Sequence, residues 1–397
     1  MKRRLIWQDR NNTNLVSRSI VLEYLTADSH KLTGLWDRYR TLILSVFFAY
    51  VLGVSEYFHW AQWYAGHISD LYSYQNQLLE GHAPWLADQN RVLAPLIIAL
   101  IQRIGRFSYE DAYQHFMFWT FIAINFSTVI LFHSLRLAVG QILIGLLLTA
   151  AVPMLLLNWW WFPWTNLEAM LWLLLFTVDA LGWRGRRQFA AVAVIFTAMV
   201  FTKETAVFVP MWIVIRAMTD PQGVWKRSTH ICAMGFAMVL VSLFIDHELR
   251  RVLWVSGTYP GLPSGYPPSA TVLDGTMSNM FLWPRQTIDY YLFNAAALFT
   301  GRIPWPLTDN HHWTDLASGS TDFFAILAMS TLGAFWSWRL QEPVILALSL
   351  LSLSYLAVCF VMVNMPESDK LLPTLAFGIY AYARWCALRR EVQLSVH

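Results

Sequence analysis

Apolar residues gather along this chain in runs separated by short polar breaks. Eleven such stretches can be drawn, at about 41–58, 92–104, 115–135, 140–157, 167–182, 189–202, 205–218, 231–245, 322–340, 343–363 and 371–387. Several approach the roughly 20 apolar residues that a helix needs to cross a bilayer. The pattern predicts an all-α polytopic membrane protein. Composition agrees with it: 56% of the residues are hydrophobic and 13% charged, against about 25% charged in an average soluble domain. The 21 Trp and 25 Phe belong to the residue types that gather at membrane–water interfaces.

Charge decides how many of the stretches cross. If all did, the basic loop WRGRR (183–187) would face the side opposite the N-terminus, yet residues 1–40 hold eight Lys/Arg. Short basic loops stay cytoplasmic. The conflict disappears if VLAPLIIALIQRI (92–104) does not span, and its thirteen residues suit an interfacial or re-entrant helix better than a crossing. Arg136, WRGRR, Lys226, Arg227, Arg339 and ALRR (387–390) then share the cytoplasmic side. The expectation is about ten spans with both termini inside. The start MKRRLIWQDRNNTNLVSRS lacks the apolar core of a signal peptide, so it is expected to be retained. The formal net charge of +3 is small and follows topology, which gives no reason to expect a nucleic-acid partner.

Three segments become external: 59–114, the aromatic NWWWFPWTNLE (158–168), and 246–321 with its TYPGLPSGYPPS stretch. The chain accordingly divides into a basic cytoplasmic N-terminus (1–40), a transmembrane module (41–220) and a C-terminal transmembrane part (221–397). No internal repeat is visible, unlike the inverted repeats of many transporters.

Candidate chemistry lies in these external segments. Between Ser69 and Leu79 there is neither Gly nor Pro, which predicts a short membrane-lying helix. Asp70, Tyr74 and Gln77 share one of its faces, with Gly81 as the stop. Asp70 reads either as a solvated loop acid or as a carboxylate lining a cavity at the end of a span. Arg91 opens the short apolar run. There it can snorkel as an interface anchor or grip a phosphate bidentately. WTNLE sets Asn166 and Glu168 where the next helix begins. Glu168 is then a first-turn acid favoured by the helix dipole or the second acid of a site whose first is Asp70. FTKETAVFVP interrupts a long apolar run with Lys203 and Glu204, either a satisfied pair or a marker of function, since ionisable residues at membrane depth are costly. Arg250, Arg251, Arg285 and Arg302 are further candidate phosphate ligands.

His311 and His312 are adjacent rather than at i, i+4, and no metal site is predicted from them. Cys232, Cys359 and Cys386 lie in apolar runs without ligand spacing. There is no P-loop, no G-x-G-x-x-G after a strand, no G-x-S-x-G and no H-E-x-x-H, so a cytoplasmic nucleotide site is not expected.

The organisation resembles the C-type (GT-C) integral-membrane glycosyltransferases, which include protein O-mannosyltransferases and lipid A aminoarabinose transferases. Asp70 matches the acid of that family's first external loop. NRVLAPL (90–96) is similar to the Arg…Pro-Leu pattern that follows it. WTNLEAML (164–171) resembles the second-loop stretch, and FTKETAVFVP (201–210) the Lys- or Arg-containing turn before an apolar run. The resemblance covers roughly residues 40–220. One departure is that Asp70 is followed by Leu-Tyr-Ser-Tyr, so a paired-acid motif and the metal it would hold are not implied.

The resemblance implies an enzyme at the outer face of a bacterial inner (plasma) membrane. It would transfer a sugar, with inversion, from a polyprenyl-phosphate donor to a glycan, lipid or protein acceptor. Asp70 would be the general base, and Arg91, Lys203 and an arginine of 246–321 would neutralise the departing phosphate. Two rivals stand beside it: a glycan polymerase or ligase using polyprenyl-diphosphate oligosaccharides, and a non-enzymatic transporter or flippase of lipid-linked substrates.

Overall fold

A computed structural model describes residues 39–62, 91–155, 163–182, 186–219, 226–253, 313–362 and 372–396. Among them every regular element is helical: α1 (Tyr39–Gln62), α2 (Leu93–Gly105), α3 (Tyr109–Ser134), α4 (Val139–Leu155), α5 (Pro163–Leu181), α6 (Arg186–Val200), α7 (Phe208–Thr219), α8 (Lys226–Leu253), α9 (Trp313–Leu340), α10 (Pro343–Met362) and α11 (Leu372–Val396). A short 3-10 turn, Glu204–Val207, precedes α7. Each apolar stretch drawn from the sequence falls on one of these helices. Among the described residues four helical segments are long and apolar enough to cross a membrane: Tyr39–Gln62, Tyr109–Ser134, Pro163–Leu181 and Phe323–Leu340. At 13 residues, α2 rises about 20 Å, well short of the roughly 30 Å of hydrocarbon in a bilayer.

The helix ends depart from the apolar limits, for local reasons. The Ser108 hydroxyl accepts the Asp111 amide at 3.1 Å, and Glu110 and Asp111 occupy the first turn. This N-cap starts α3 inside the expected loop 59–114. Pro163 occupies the first position of α5, where its missing N–H costs nothing. Trp164 to Glu168 are therefore helical rather than part of the loop 158–168. The polar turns of α8 and α9 similarly extend into 246–321, which moves Arg250 and Arg251 onto a helix. Positive φ at Arg136 and Gln341 reverses the chain between α3 and α4 and between α9 and α10.

The chain divides into two compact units, Met1–Phe48 and Ala49–His397. In the first, the described residues are the opening turns of α1, where Ser45 Oγ donates to Thr41 O at 2.7 Å. In the second, α3 and α5 run side by side at the centre, with α11 and α6 against α5. Phe176 of α5 stacks on Tyr380 of α11 at 4.9 Å between ring centroids and meets Trp212 of α7 edge-on at 5.3 Å.

One end of this bundle gathers the start of α2, the start of α5 and the turn before α7. The Leu93 N–H donates to Phe201 O at 2.9 Å, and the Arg91 guanidinium lies over the Trp164 ring at 5.4 Å. The other end carries the helix termini rich in arginine. There Tyr382 OH donates to Gln141 O at 3.1 Å, Arg384 pairs with Glu342 at 3.2 Å, and Arg390 donates to the Arg136 carbonyl.

Small residues allow the closest helix approaches. Gly333 of α9 faces the Ser349 hydroxyl of α10, and Ser330 Oγ donates to Ser352 Oγ at 2.8 Å across the same seam. A Cβ on Gly53 of α1 would stand 2.7 Å from Ile122 Cα of α3. One turn on, the Asn125 amide donates to the buried Glu56 carboxylate at 2.6 Å. Gly53→Val should therefore push α1 from α3 and stretch this bond. The cost is about 1–3 kcal/mol of overpacking, more than the roughly 1 kcal/mol that leaving Gly gains in helix propensity. A lowered unfolding midpoint in detergent checks it, and an unchanged midpoint would show that the seam opens freely.

Candidate functional site

The polar residues of the Arg91 end reach their places through helix starts. In α5 the first residues are Pro163, Trp164, Thr165, Asn166, Leu167 and Glu168, all buried. Glu168 sits about 8 Å along the helix from its start. Lys203 has extended backbone (φ −167°, ψ 151°) between the end of α6 and the 3-10 turn. That extended residue turns the chain from α6 into α7, and its ammonium lies 3.0 Å from Glu168 Oε2. The Thr205 hydroxyl donates to the other carboxylate oxygen, Oε1. Side-chain exposure is 1% for Glu168 and 2% for Lys203. The two charges thus form a fully enclosed ion pair.

Arg91 stands beside this pair in the fold. Its neighbour Leu93 is bonded to Phe201, two residues before Lys203, and Trp164 beneath it opens α5. Burial to 4% runs against a snorkelling anchor, whose charged head would reach water. A guanidinium over an indole face is a favourable cation–π arrangement. The starts of α2, α5 and the turn into α7 bring helix N-termini, each with partial positive charge, to the same region. Asn166 donates to Met117 Sδ at 3.8 Å, while its Oδ1 and the Thr165 hydroxyl are buried with no hydrogen-bond partner among the described residues. Among the described residues the cluster gathers Arg91, Lys203 and Glu168 with the unsatisfied Asn166 Oδ1 and Thr165 hydroxyl. Its guanidinium and ammonium are groups of the kind that bind an anion.

Depth gives the cluster its weight. Asp179 lies about three turns, or 16 Å, beyond Glu168 on the same helix. It too is buried and paired: Tyr380 OH donates to Oδ2 at 2.6 Å and Arg216 Nε lies 3.6 Å from Oδ1. Hence α5 runs parallel to the segment 203–216, clamped by one ion pair near each end with aromatic packing between. A bilayer core is about 30 Å thick, so when α5 crosses, both pairs cannot lie outside it. Ionisable groups at that depth are costly and mark functional places by default.

Sequence reasoning set Lys203 beside Glu204, but the ion-pair partner is Glu168 of another helix. The Glu204 backbone begins the 3-10 turn, and its side chain lies outside the described residues, as do those of Arg250 and Arg251. Asp70, Tyr74, Arg285, Arg302, His311 and His312, with the proposed helix 69–79, also lie outside them. Glu168, Asn166, Arg91 and Lys203 do come to one end of the bundle. Thr205, Trp164, Glu56 and Asp179 were not singled out. For Glu56 and Asp179 the available signal was a lone acid inside an apolar run. Among the described residues no group of three or more His, Cys, Asp and Glu side chains could hold a metal ion. No family model, curated protein or solved structure matches the chain.

Proposed function

We propose that this chain is an inverting glycosyltransferase of the GT-C kind, taking a sugar from a polyprenyl-phosphate donor to an acceptor at the outer face of a bacterial inner membrane. Ten spans with cytoplasmic termini form part of the reading. The single observation that supports it is the buried cluster of Arg91, Lys203 and Glu168 where three helix starts meet. An anion with a greasy tail could reach such a cluster from the bilayer.

In this reading the acceptor oxygen bonds to the anomeric carbon from the face opposite the phosphate. The bond from that carbon to the phosphate oxygen breaks, its electron pair stays on the phosphate, and the acceptor proton passes to the Asp70 carboxylate. The lipid phosphate thereby gains one negative charge. Fixed donors aimed at developing charge are usually the largest catalytic contribution. Arg91 and Lys203 supply them, and Glu168 holds Lys203 in place rather than acting as a second base. Asn166 and Tyr74 are candidate sugar contacts, and Arg285 and Arg302 remain candidate phosphate ligands.

The test uses the full chain in detergent with a polyprenyl phosphate. Arg91→Ala should weaken its binding by about tenfold to a hundredfold, the worth of a charged hydrogen bond. Asp70→Asn should keep binding and abolish sugar transfer. Unchanged binding in Arg91→Ala overturns the phosphate assignment, and full transfer by Asp70→Asn overturns the base. The intramembrane Lys203–Glu168 pair also suits a carrier of lipid-linked substrates. Movement of the lipid phosphate across proteoliposomes without any transferred product would favour that second reading.

A further inference from the structure

The opposite end of the bundle has a different character. Arg136, Arg187, Arg339, Arg389 and Arg390 are exposed there, while the acids Asp179 and Glu342 are buried and paired with side chains of the bundle. Among the described residues at this end, Glu391 is the exposed acid. The sorting is not a general property of the surface. At the α2–α3 turn the exposed Arg103 and Arg106 stand with the exposed Glu110 and Asp111.

Two of the arginines are held in the same manner. The Arg389 guanidinium lies 4.0 Å from the centre of the Trp385 ring, and that of Arg339 lies 4.9 Å from the Phe335 ring. Stacking engages the flat face of a guanidinium and leaves its N–H edge for a bidentate oxygen acceptor. Between and beside them Trp336, Trp338 and Trp385 are exposed, the residue type that settles at headgroup level. Arg390 is tied to the Arg136 carbonyl, which joins the end of α11 to the α3–α4 turn as one surface. Phe335 and Trp336 sit on a helix segment that is apolar and long enough to cross a membrane, so this surface lies where that segment ends.

We propose that the arginine–tryptophan surface formed by the α3–α4 turn and the ends of α9 and α11 binds the headgroups of anionic phospholipids. Its ligand is the phosphodiester of a bilayer lipid with net negative charge, held edgewise by Arg339, Arg389 and Arg390 over the aromatic rings. Asp179 and Glu342 are turned inward, which leaves Glu391 as the exposed described acid against five exposed arginines. This surface is independent of the Arg91 cluster and of any transfer reaction.

The full chain is reconstituted in phosphatidylcholine bilayers carrying a trace of spin-labelled phosphatidylglycerol or, separately, spin-labelled phosphatidylcholine. The protein-restricted fraction of each label gives their relative association. Wild type should prefer phosphatidylglycerol by about fivefold or more, given the attraction of one arginine near an anionic surface. The preference should fall towards unity in about 1 M salt, where screening acts within about 3 Å. The Arg389→Gln/Arg390→Gln variant should lose most of it, whereas Arg103→Gln/Arg106→Gln at the α2–α3 turn should retain it. No preference in wild type, a preference that salt leaves intact, or equal loss in both double variants would overturn the proposal. If the first double variant fails to reconstitute, the salt series on wild type and the single Arg339→Gln variant decide it.

Discussion

Replacing Lys203 with methionine should destabilise the chain by about 3–5 kcal/mol, because it leaves Glu168 charged, buried and without its counter-ion. Glu168→Gln should cost nearly as much, for the same reason with the sign reversed: Lys203 then stands alone at 2% exposure. The double variant Glu168→Gln/Lys203→Met should come back to within about 1 kcal/mol of wild type, since a neutral pair of similar volume often matches or exceeds a buried ion pair. Gln can still accept the Thr205 hydroxyl at its remaining oxygen, and methionine fills the space of the lysine stem. The measurement is unfolding free energy in mixed micelles for wild type, both single variants and the double. Additive losses in the double would show that the two side chains do not act as a pair.

The same four proteins separate structure from function. A pair kept only for stability would let the double variant bind a polyprenyl phosphate as wild type does. A pair kept to hold an ammonium at an anion site predicts restored stability with binding still lost by about tenfold or more, the worth of one charged hydrogen bond. Retained binding in a stable double variant would remove Lys203 from the phosphate site while leaving Arg91 untouched. The buried Asn166 and Thr165 oxygens, which find no partner among the described residues, fit the second outcome, because a cluster optimised for stability alone would satisfy them.

Helices were legible because a membrane-length apolar run admits few other structures: in lipid every backbone polar group must be satisfied internally. Their ends were less legible. Caps such as Ser108 and the proline at position 163 extend helices beyond the apolar run, so Glu168 lies within a helix and not in the loop before it. The resemblance assigns Arg91 and Lys203 to one phosphate, with Glu168 as a separate acid. The Lys203–Glu168 pairing could not be read, since it joins the turn before α7 to a residue of α5 far away in sequence. The division of Lys203-Glu204 from the run around it nonetheless pointed to the right turn. Asp179 and Glu56 carried the same signal, a charge inside an apolar stretch, with less contrast because no second charge stood beside them.

Asp179→Ala should rank next after the two single substitutions of the Lys203–Glu168 pair, at about 2–4 kcal/mol. It strips a partner from two groups at once: the Tyr380 hydroxyl, buried in the α5–α7–α11 aromatic cluster, and Arg216. The loss stays below that of a fully enclosed pair because the Arg216 side chain is 22% exposed and can turn towards water. Tyr380→Phe removes the hydrogen bond but keeps the ring stacked on Phe176, so it should cost about 1 kcal/mol or less, as such bonds do between membrane helices. Adding Tyr380→Phe to Asp179→Ala should then recover part of the loss, since no buried hydroxyl is left without an acceptor. Thermal unfolding of the three variants in detergent gives the ordering. If Tyr380→Phe proves as harmful as Asp179→Ala, the hydroxyl rather than the charge holds α11 to α5. If Asp179→Ala proves neutral, the second clamp on α5 is not a clamp, and the parallel alignment of α5 with the segment 203–216 rests on the Glu168–Lys203 pair and the Phe176–Trp212 contact.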